Sequence, residues 1–206
     1  IVDEELKALV PSDLSETLLH HFGKTSEILI FLIGAMTIVE IIDYFDGFSA
    51  IKGFVKTKSK RNLILVFCTI GFFLSAVIDN LTATIILISI LRKIVKSDEL
   101  RVWYASLIVI AANAGGAWSP IGDVTTTMLW IANKVSAVKL IESLLLPSIV
   151  SIMVPLVIAT FLPIFKGNIE TVELENDQKS PYSNLMFYLG LSCIVFVPIF
   201  KTVTHL

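Results

Sequence analysis

Long apolar runs, separated by short polar segments, are the feature that most constrains how this chain can fold. Residues 26–45 form one run of about the 20 residues that a helix needs to cross the hydrocarbon core of a bilayer. Comparable runs begin near residues 62, 102, 140 and 183. The mean hydropathy is +0.82, and only 17% of the residues are charged, whereas soluble domains carry about a quarter. The pattern predicts an all-α, multi-pass membrane protein whose main partner is the lipid bilayer.

The apolar runs and the polar segments between them divide the chain into four parts. We expect an extramembrane approach segment at 1–24, a transport region at 25–165, a polar linker at 166–182 and the start of a further, truncated span at 183–206. The chain begins without Met and ends at an apolar segment, so we expect an internal fragment of a longer protein. Within the transport region we expect a span at 26–45, an interfacial basic helix at 46–61 and a re-entrant hairpin at 62–95. A broken helix at 102–133 and a further span at 140–165 are expected to follow.

The basic residues on either side of segment 62–95 indicate how this segment is placed in the membrane. Its apolar run is interrupted at Asp79 and Asn80, and basic residues flank it on both sides. Because cytoplasmic loops are enriched in Lys and Arg, both flanks should lie on the same side of the membrane. A single straight span would separate them, whereas two half-length helices that meet at Asp79 and Asn80 keep them together. We therefore expect a re-entrant helical hairpin.

Segment 102–133 carries a different interruption. Gly115, Gly116 and Pro120 lie inside its apolar run, where they break the helical hydrogen-bond ladder. A break at membrane depth is tolerated only where it is buried in protein or lines an aqueous cavity. The segment is therefore predicted to be a discontinuous transmembrane helix.

The two interruptions share a sequence pattern. The residues from Ile78 read IDNLTATI and those from Ile121 read IGDVTTTM, so an amide or carboxylate precedes each helix start and threonines follow it. Helix starts expose unpaired N–H groups, and paired helix breaks near the bilayer midplane form the ion sites of many secondary transporters. In the simpler interpretation, Asn80 and Asp123 only cap their helices, a role that is compatible with ion binding.

Asp79 and Asp123 are the leading titratable candidates, because an ionised side chain at membrane depth is costly. We predict a Na⁺ site at Asp79, Asn80 and Asp123. Further oxygen ligands are predicted at Thr82, Thr84, Asn113, Ser119, Thr125 and Thr126. For Asn113 and Ser119, bracing of the broken backbone is an alternative role. Glu40 and Asp43 share one helix face and supply either a proton pathway or a further ligand, unless they lie near the end of their span, where charges cost little.

At these residues the chain resembles the NhaD-type sodium/proton antiporters of the ion transporter superfamily. The resemblance rests on residues 76–84 and 113–130, with a further similar stretch at 34–40. It implies inverted repeats, each with a re-entrant hairpin and a broken helix, and exchange of Na⁺ or Li⁺ for H⁺ across a bacterial inner membrane or an organelle envelope. Kinship with dicarboxylate carriers also implies a homodimer with an elevator-like movement. The hairpin and broken helix of the second repeat are missing from this chain.

Three other functions are compared here with the acids and helix breaks of the sequence. An anion carrier of the same superfamily, for citrate, dicarboxylate or arsenite, would place neutral motifs at its helix N-termini, and Asp79 and Asp123 would repel its substrate unless a coupling cation masked them. An aspartyl intramembrane protease also needs two embedded acids, but its Tyr-Asp and Gly-x-Gly-Asp motifs are not matched. A purely structural subunit would not need two broken helices with acids. We therefore expect a transporter rather than an enzyme.

Composition argues against two kinds of partner. No Cys and His residues have metal-ligand spacing, so we expect no cofactor beyond the transported ions, Na⁺ and H⁺. The formal net charge of −2 indicates no nucleic-acid partner.

Overall fold

The computed structural model describes residues 2–52, 57–169 and 181–204, and all regular secondary structure within them is helical apart from one isolated bridge, Ser59–Asn168. The helices are α1 Val2–Tyr44, α2 Ser49–Lys52, α3 Lys60–Ile78, α4 Asn80–Ile94, α5 Asp98–Ala117, α6 Val124–Ile131, α7 Ala137–Phe161 and α8 Ser183–Thr204. Four stretches of these described residues are long and apolar enough to cross a membrane: Glu16–Tyr44, Lys60–Ile78, Asp98–Ala117 and Ala137–Phe161. The prediction of an all-α protein with several membrane-spanning helices is confirmed.

Helices α3 and α4 fold back on each other about Asp79. Gly71 and Leu87 each lie eight residues from Asp79, on opposite sides of it. They are in contact, since a Cβ added to Gly71 would lie 3.1 Å from a methyl carbon of Leu87. The start of α3 and the end of α4 therefore lie at the same end of the molecule, where Lys60 and Lys96 border one cavity. We call this the basic end; it comprises residues 58–61, 95–101 and 163–169.

Helix α5 packs into the angle between the two arms of this hairpin. Its Tyr104 is fully buried against Phe67 of α3 and Phe165, with ring centroids 6.5 and 5.4 Å apart. The Tyr104 hydroxyl donates a hydrogen bond to the carbonyl oxygen of Lys60 at 2.6 Å. The start of α5 is thereby fastened to the start of α3, and α5 runs from the basic end towards the hairpin tip.

Helix α7 returns the chain to the basic end. A 3₁₀ turn, Pro163–Phe165, follows it, and Lys60 donates its backbone N–H to the carbonyl oxygen of Gly167 at 3.1 Å. The backbone N–H of Ile169 donates to the carbonyl oxygen of Lys58 at 2.9 Å. These bonds close the bundle of α3, α4, α5 and α7 at one end.

Helices α1 and α8 form a second packed pair. Gly190 of α8 lies against Ile42 of α1, where an added Cβ would come within 2.5 Å of the Ile42 side chain. Many apolar side chains of α1, α7 and α8 point outward, including Leu19, Ile30, Leu146, Phe161, Phe196 and Val203. An apolar surface of this extent is typical of contact with lipid or with further protein.

Some boundaries differ from those expected from the sequence. Helix α1 runs without interruption across residues 24–26, because Gly23 alone costs a helix only about 1 kcal/mol and does not end it. Within the interfacial helix expected at 46–61, the described residues form the short helix Ser49–Lys52 and the first two residues of α3, and residues 53–56 lie outside the described residues. Most of the predicted linker also lies outside them, at 170–180.

Candidate functional site

Asp79 alone separates α3 from α4. Its φ of 96° and ψ of 152° lie in a region that glycine adopts freely and other residues adopt at a cost of about 1–3 kcal/mol. The carboxylate offsets part of this cost by capping α4, since Oδ1 accepts a hydrogen bond from the backbone N–H of Thr82 at 2.9 Å. Oδ2 is buried and has no hydrogen-bond partner among the described residues. An unpaired, buried carboxylate oxygen is an acceptor for a cation or a proton.

The second break, residues 118–123, separates α5 from α6. Asp123 has extended backbone angles and caps α6, because its Oδ1 accepts a hydrogen bond from the backbone N–H of Thr125 at 2.8 Å. The hydroxyl of Thr126 lies 2.9 Å from the carbonyl oxygens of both Ser119 and Asp123. This hydroxyl ties the beginning of the break to its end. Ser119 is buried and Thr126 nearly so.

Asn80 joins the two breaks. Its side-chain Nδ2 donates hydrogen bonds to Oδ1 of Asn113, at 3.0 Å, and to Oδ2 of Asp123, at 2.9 Å. Its backbone N–H donates to the carbonyl oxygen of Gly122 at 3.1 Å. These bonds join Asn80, Asn113 and Asp123, and Asp79 directly precedes Asn80 in the chain; we call these four residues the break cluster.

Glycines allow the second break to approach α3 this closely. A Cβ on Gly115 would lie 2.1 Å from the carbonyl oxygen of Phe72, and one on Gly122 would lie 2.5 Å from that of Ser75. Ser75 is fully buried, and its hydroxyl donates to the carbonyl oxygen of Ala112 at 2.5 Å. Ser75 is not among the residues predicted from the sequence, although it is a lone serine in an apolar run one turn before the first break.

The remaining threonines have different surroundings. The Thr84 hydroxyl donates to the carbonyl oxygen of Asn80 at 2.7 Å, so it braces the first turn of α4. Thr82 is half-buried, and Thr125 is exposed. Thr127, which was not selected from the sequence, is buried and donates its hydroxyl to the carbonyl oxygen of Asp123 at 2.8 Å. The threonines thus stabilise both helix starts while their hydroxyl oxygens keep lone pairs.

Glu40 and Asp43 do not join the break cluster. Glu40 is exposed and borders an open, mainly apolar groove along α1. Asp43 is also exposed and borders a separate small cavity with Ser49, Ser89 and Lys93. Neither acid hydrogen-bonds to the break cluster within the described part of the chain.

The hydrogen-bond donors and acceptors of the break cluster are arranged in a way that suits a cation. First-turn N–H groups of α4 and α6 are already bonded to the carboxylates of Asp79 and Asp123. The amide hydrogens of Asn80 are likewise engaged by oxygen acceptors. The groups of the cluster that can bind a ligand are therefore carboxylate, amide, hydroxyl and carbonyl oxygens.

Comparison with known proteins identifies the family of the chain. A family model described as "Citrate transporter" matches residues 10–205 of the chain. The chain belongs to the citrate transporter family. Sodium/proton antiporter 1 of Arabidopsis thaliana is 44% identical over 189 residues, which are 91% of this chain and 33% of that protein. Sodium/proton antiporter 2 of the same plant is 42% identical over 91% of this chain and 46% of its own length.

The bacterial relatives of this chain include proteins named NhaD, the type of antiporter that its sequence resembles. The Na⁺/H⁺ antiporter NhaD of Vibrio cholerae is 36% identical over 152 residues, which are 72% of this chain and 32% of that protein. The resemblance to NhaD-type antiporters is thereby confirmed. The chain spans between a third and a half of the length of the curated relatives it matches. No solved structure matches it.

The family and the fold together establish where the protein resides. A member of a transporter family whose described residues include four helical stretches able to cross a bilayer is an integral, multi-pass membrane protein.

Proposed function

We propose that the protein containing this chain exchanges Na⁺ or Li⁺ for H⁺, and that the cation binds at the break cluster. The observation that carries the proposal is the pair of hydrogen bonds from Asn80 to Asn113 and Asp123. They hold two amides and the carboxylate of Asp123 together at a break between apolar helices, and the carboxylate of Asp79 belongs to the residue that precedes Asn80. A carboxylate in such surroundings binds either a cation or a proton, and this competition is the minimum that exchange requires.

The proposed ligands follow from the free oxygens of the cluster. Asp79 contributes its buried, unpaired Oδ2, and Asn80 and Asp123 are proposed to supply further oxygens. Neutral oxygens to complete the coordination are proposed from Thr82, Thr84, Asn113, Ser119, Thr125 and Thr126. Na⁺ and H⁺ are the transported ions, and no other cofactor is part of the proposal.

We also propose that the α3–α4 hairpin enters and leaves the membrane from the cytoplasmic side. Both of its ends lie at the basic end, and positively charged segments are retained in the cytoplasm. The relatives are more than twice as long as this chain, which leaves room for an inverted second repeat that would complete the site. Assembly into a homodimer is part of the same proposal.

Glu40 and Asp43 are proposed to carry protons rather than to bind the cation. Their exposure on one face of α1, away from the break cluster, supports access from outside the bundle.

A second candidate is the transport of an anion such as citrate, a dicarboxylate or arsenite. The description of the matching family model favours it, and helix N-termini attract anions. At α4 and α6, however, one first-turn N–H of each helix, that of Thr82 and that of Thr125, is already bonded to the carboxylate of Asp79 or Asp123. An anion would have to displace these carboxylates, so the cation proposal is better supported.

The test uses the full-length parent protein in liposomes, with luminal pH followed after Na⁺ is added. Wild type is expected to give a Na⁺-dependent proton flux, which Asp79→Asn and Asp123→Asn abolish because an amide keeps the size but not the charge. Asp98→Asn is the control, since Asp98 also begins a helix but is 92% exposed in its pair with Arg101. Its flux should match wild type.

Two results would contradict the proposal. Unchanged flux in both site variants would reduce Asp79 and Asp123 to helix caps and direct attention to Glu40 and Asp43. Absence of any Na⁺-driven flux in wild type would exclude antiport, and uptake of labelled citrate would then test the second candidate.

A further inference from the structure

A polar cavity of about 440 Å³ lies at the basic end, where the hairpin begins and ends. Lys60 and Lys96 border it from the two arms of the hairpin, and Ser97, Glu99 and Asn168 add polar groups. Its wall also contains apolar side chains that are almost completely buried: Val95, Leu100 and Ile169. The cavity therefore combines hydrogen-bond donors at its rim with an apolar interior.

The charge around this cavity is strongly positive. The segments that meet there carry six basic residues against two acidic ones: Lys58, Lys60, Arg61, Lys96, Arg101 and Lys166 against Asp98 and Glu99. Asp98 is engaged by Arg101. The ammonium groups of Lys60 and Lys96 form no ion pair within the described residues. The carboxylate of Glu99 also borders the cavity, but positive charge is in excess at this end, and such an excess concentrates anions there.

The position of the cavity along the helices places it at the level of lipid headgroups. Membrane-spanning helices α3 and α5 both begin here. Trp103, 42% exposed, lies in the second turn of α5 with its ring edge-on to Phe165, 6.4 Å away. Partly exposed tryptophans are enriched at the membrane–water interface, and the positive charge assigns this end to the cytoplasmic leaflet. That leaflet holds the anionic lipids.

We propose that this cavity binds the phosphate headgroup of an anionic phospholipid. The ammonium groups of Lys60 and Lys96 face the phosphate oxygens. The Ser97 hydroxyl accepts a hydrogen bond from the backbone N–H of Leu100 at 3.4 Å, which leaves its proton to donate to the phosphate. The apolar wall receives the glycerol ester region, a contact that free phosphate would not make. A lipid bound here would fasten both ends of the hairpin to one leaflet.

The test measures lipid binding rather than transport, so its outcome is independent of the antiport proposal. The full-length parent protein is purified in detergent, stripped of lipid and melted with added phosphatidylglycerol, phosphatidylcholine or inorganic phosphate. Wild type is compared with Lys60→Gln/Lys96→Gln. The matched control is Lys134→Gln/Lys139→Gln, which removes two exposed lysines from the other end of α7.

Phosphatidylglycerol should raise the melting temperature of wild type and of the control pair, and more than phosphatidylcholine does. Loss of Lys60 and Lys96 should weaken phosphatidylglycerol binding about fivefold for each lysine removed, read from the lipid concentration that gives half of the shift. An equal response in all three proteins would overturn the proposal. A shift reproduced by inorganic phosphate alone would show a free-phosphate site instead of a lipid site.

Discussion

Asn80 and Asp123 lie 43 positions apart in the chain, yet the side-chain nitrogen of Asn80 is 2.9 Å from a carboxylate oxygen of Asp123. Each residue stands at the start of a helix that resumes after a break. Their hydrogen bond therefore links the tip of the hairpin to the interruption in the discontinuous helix. The backbone hydrogen bond from Asn80 to Gly122 also joins the two breaks, but the side-chain link can be removed by substitution and so gives the most direct test of the site.

Asn80→Ala should impair Na⁺-driven proton flux. The change leaves the oxygens of Asn113 and Asp123 without their donor, and an unsatisfied polar pair costs about 1–3 kcal/mol. We expect the Na⁺ concentration for half-maximal flux to rise about tenfold. Asn62→Ala, at an exposed position near the start of α3, is the control and should behave as wild type. Equal Na⁺ dependence in the two variants would argue against a role for the link.

Asp79→Gly should melt at a higher temperature than Asp79→Ala. Both variants lose the cap on Thr82, but only glycine relieves the backbone strain at φ 96°, worth about 1–3 kcal/mol. The same pair of changes at Asp123, where the backbone is extended, should differ less, because only the better capping by glycine separates them. Neither Asp79 variant should transport Na⁺. Similar Gly–Ala differences at the two positions would show that Asp79 is not strained.

Gly115→Ala should destabilise the protein severely. An added methyl group would overlap the backbone of Phe72, which cannot move aside without shifting α3. Overpacking of this kind costs about 1–3 kcal/mol or more. Gly34→Ala is the matched control, because nothing lies within 4 Å of its added Cβ and alanine favours a helix by about 1 kcal/mol. Comparison of melting temperatures and of folded yield distinguishes the two; equal stability would contradict the tight packing.

The pattern of neighbouring residues was sufficient to predict features that depend only on neighbouring residues, such as helix breaks. The interruptions at Asp79 and at residues 118–123 were predicted from polar residues and a proline inside apolar runs. The prediction that Gly115 and Gly116 break the helix was wrong, because both lie within α5, where they allow close packing instead. The sequence predicted an extramembrane approach segment at 1–24, and the structure shows that this segment and the first span belong to one continuous helix. Composition governs the environment of a segment, whereas the hydrogen-bond ladder along the backbone decides whether it stays helical.

Contacts between residues far apart in the sequence could not be predicted from the pattern of neighbouring residues. Glu40 and Asp43 are acids within an apolar run, as Asp79 and Asp123 are, yet among the described residues no hydrogen bond joins them to the break cluster. Ser75 was overlooked because its importance comes from a neighbour on another helix, the carbonyl oxygen of Ala112.

The sequence by itself determined the environment, the helical class and the two breaks, because apolar length, charge and backbone chemistry act over neighbouring residues. Only the tertiary structure decided that the breaks meet. That outcome depends on the fold-back at Asp79 and on glycines that let one backbone lie against another. Such contacts join residues far apart in the chain, and packing across the whole bundle selects them.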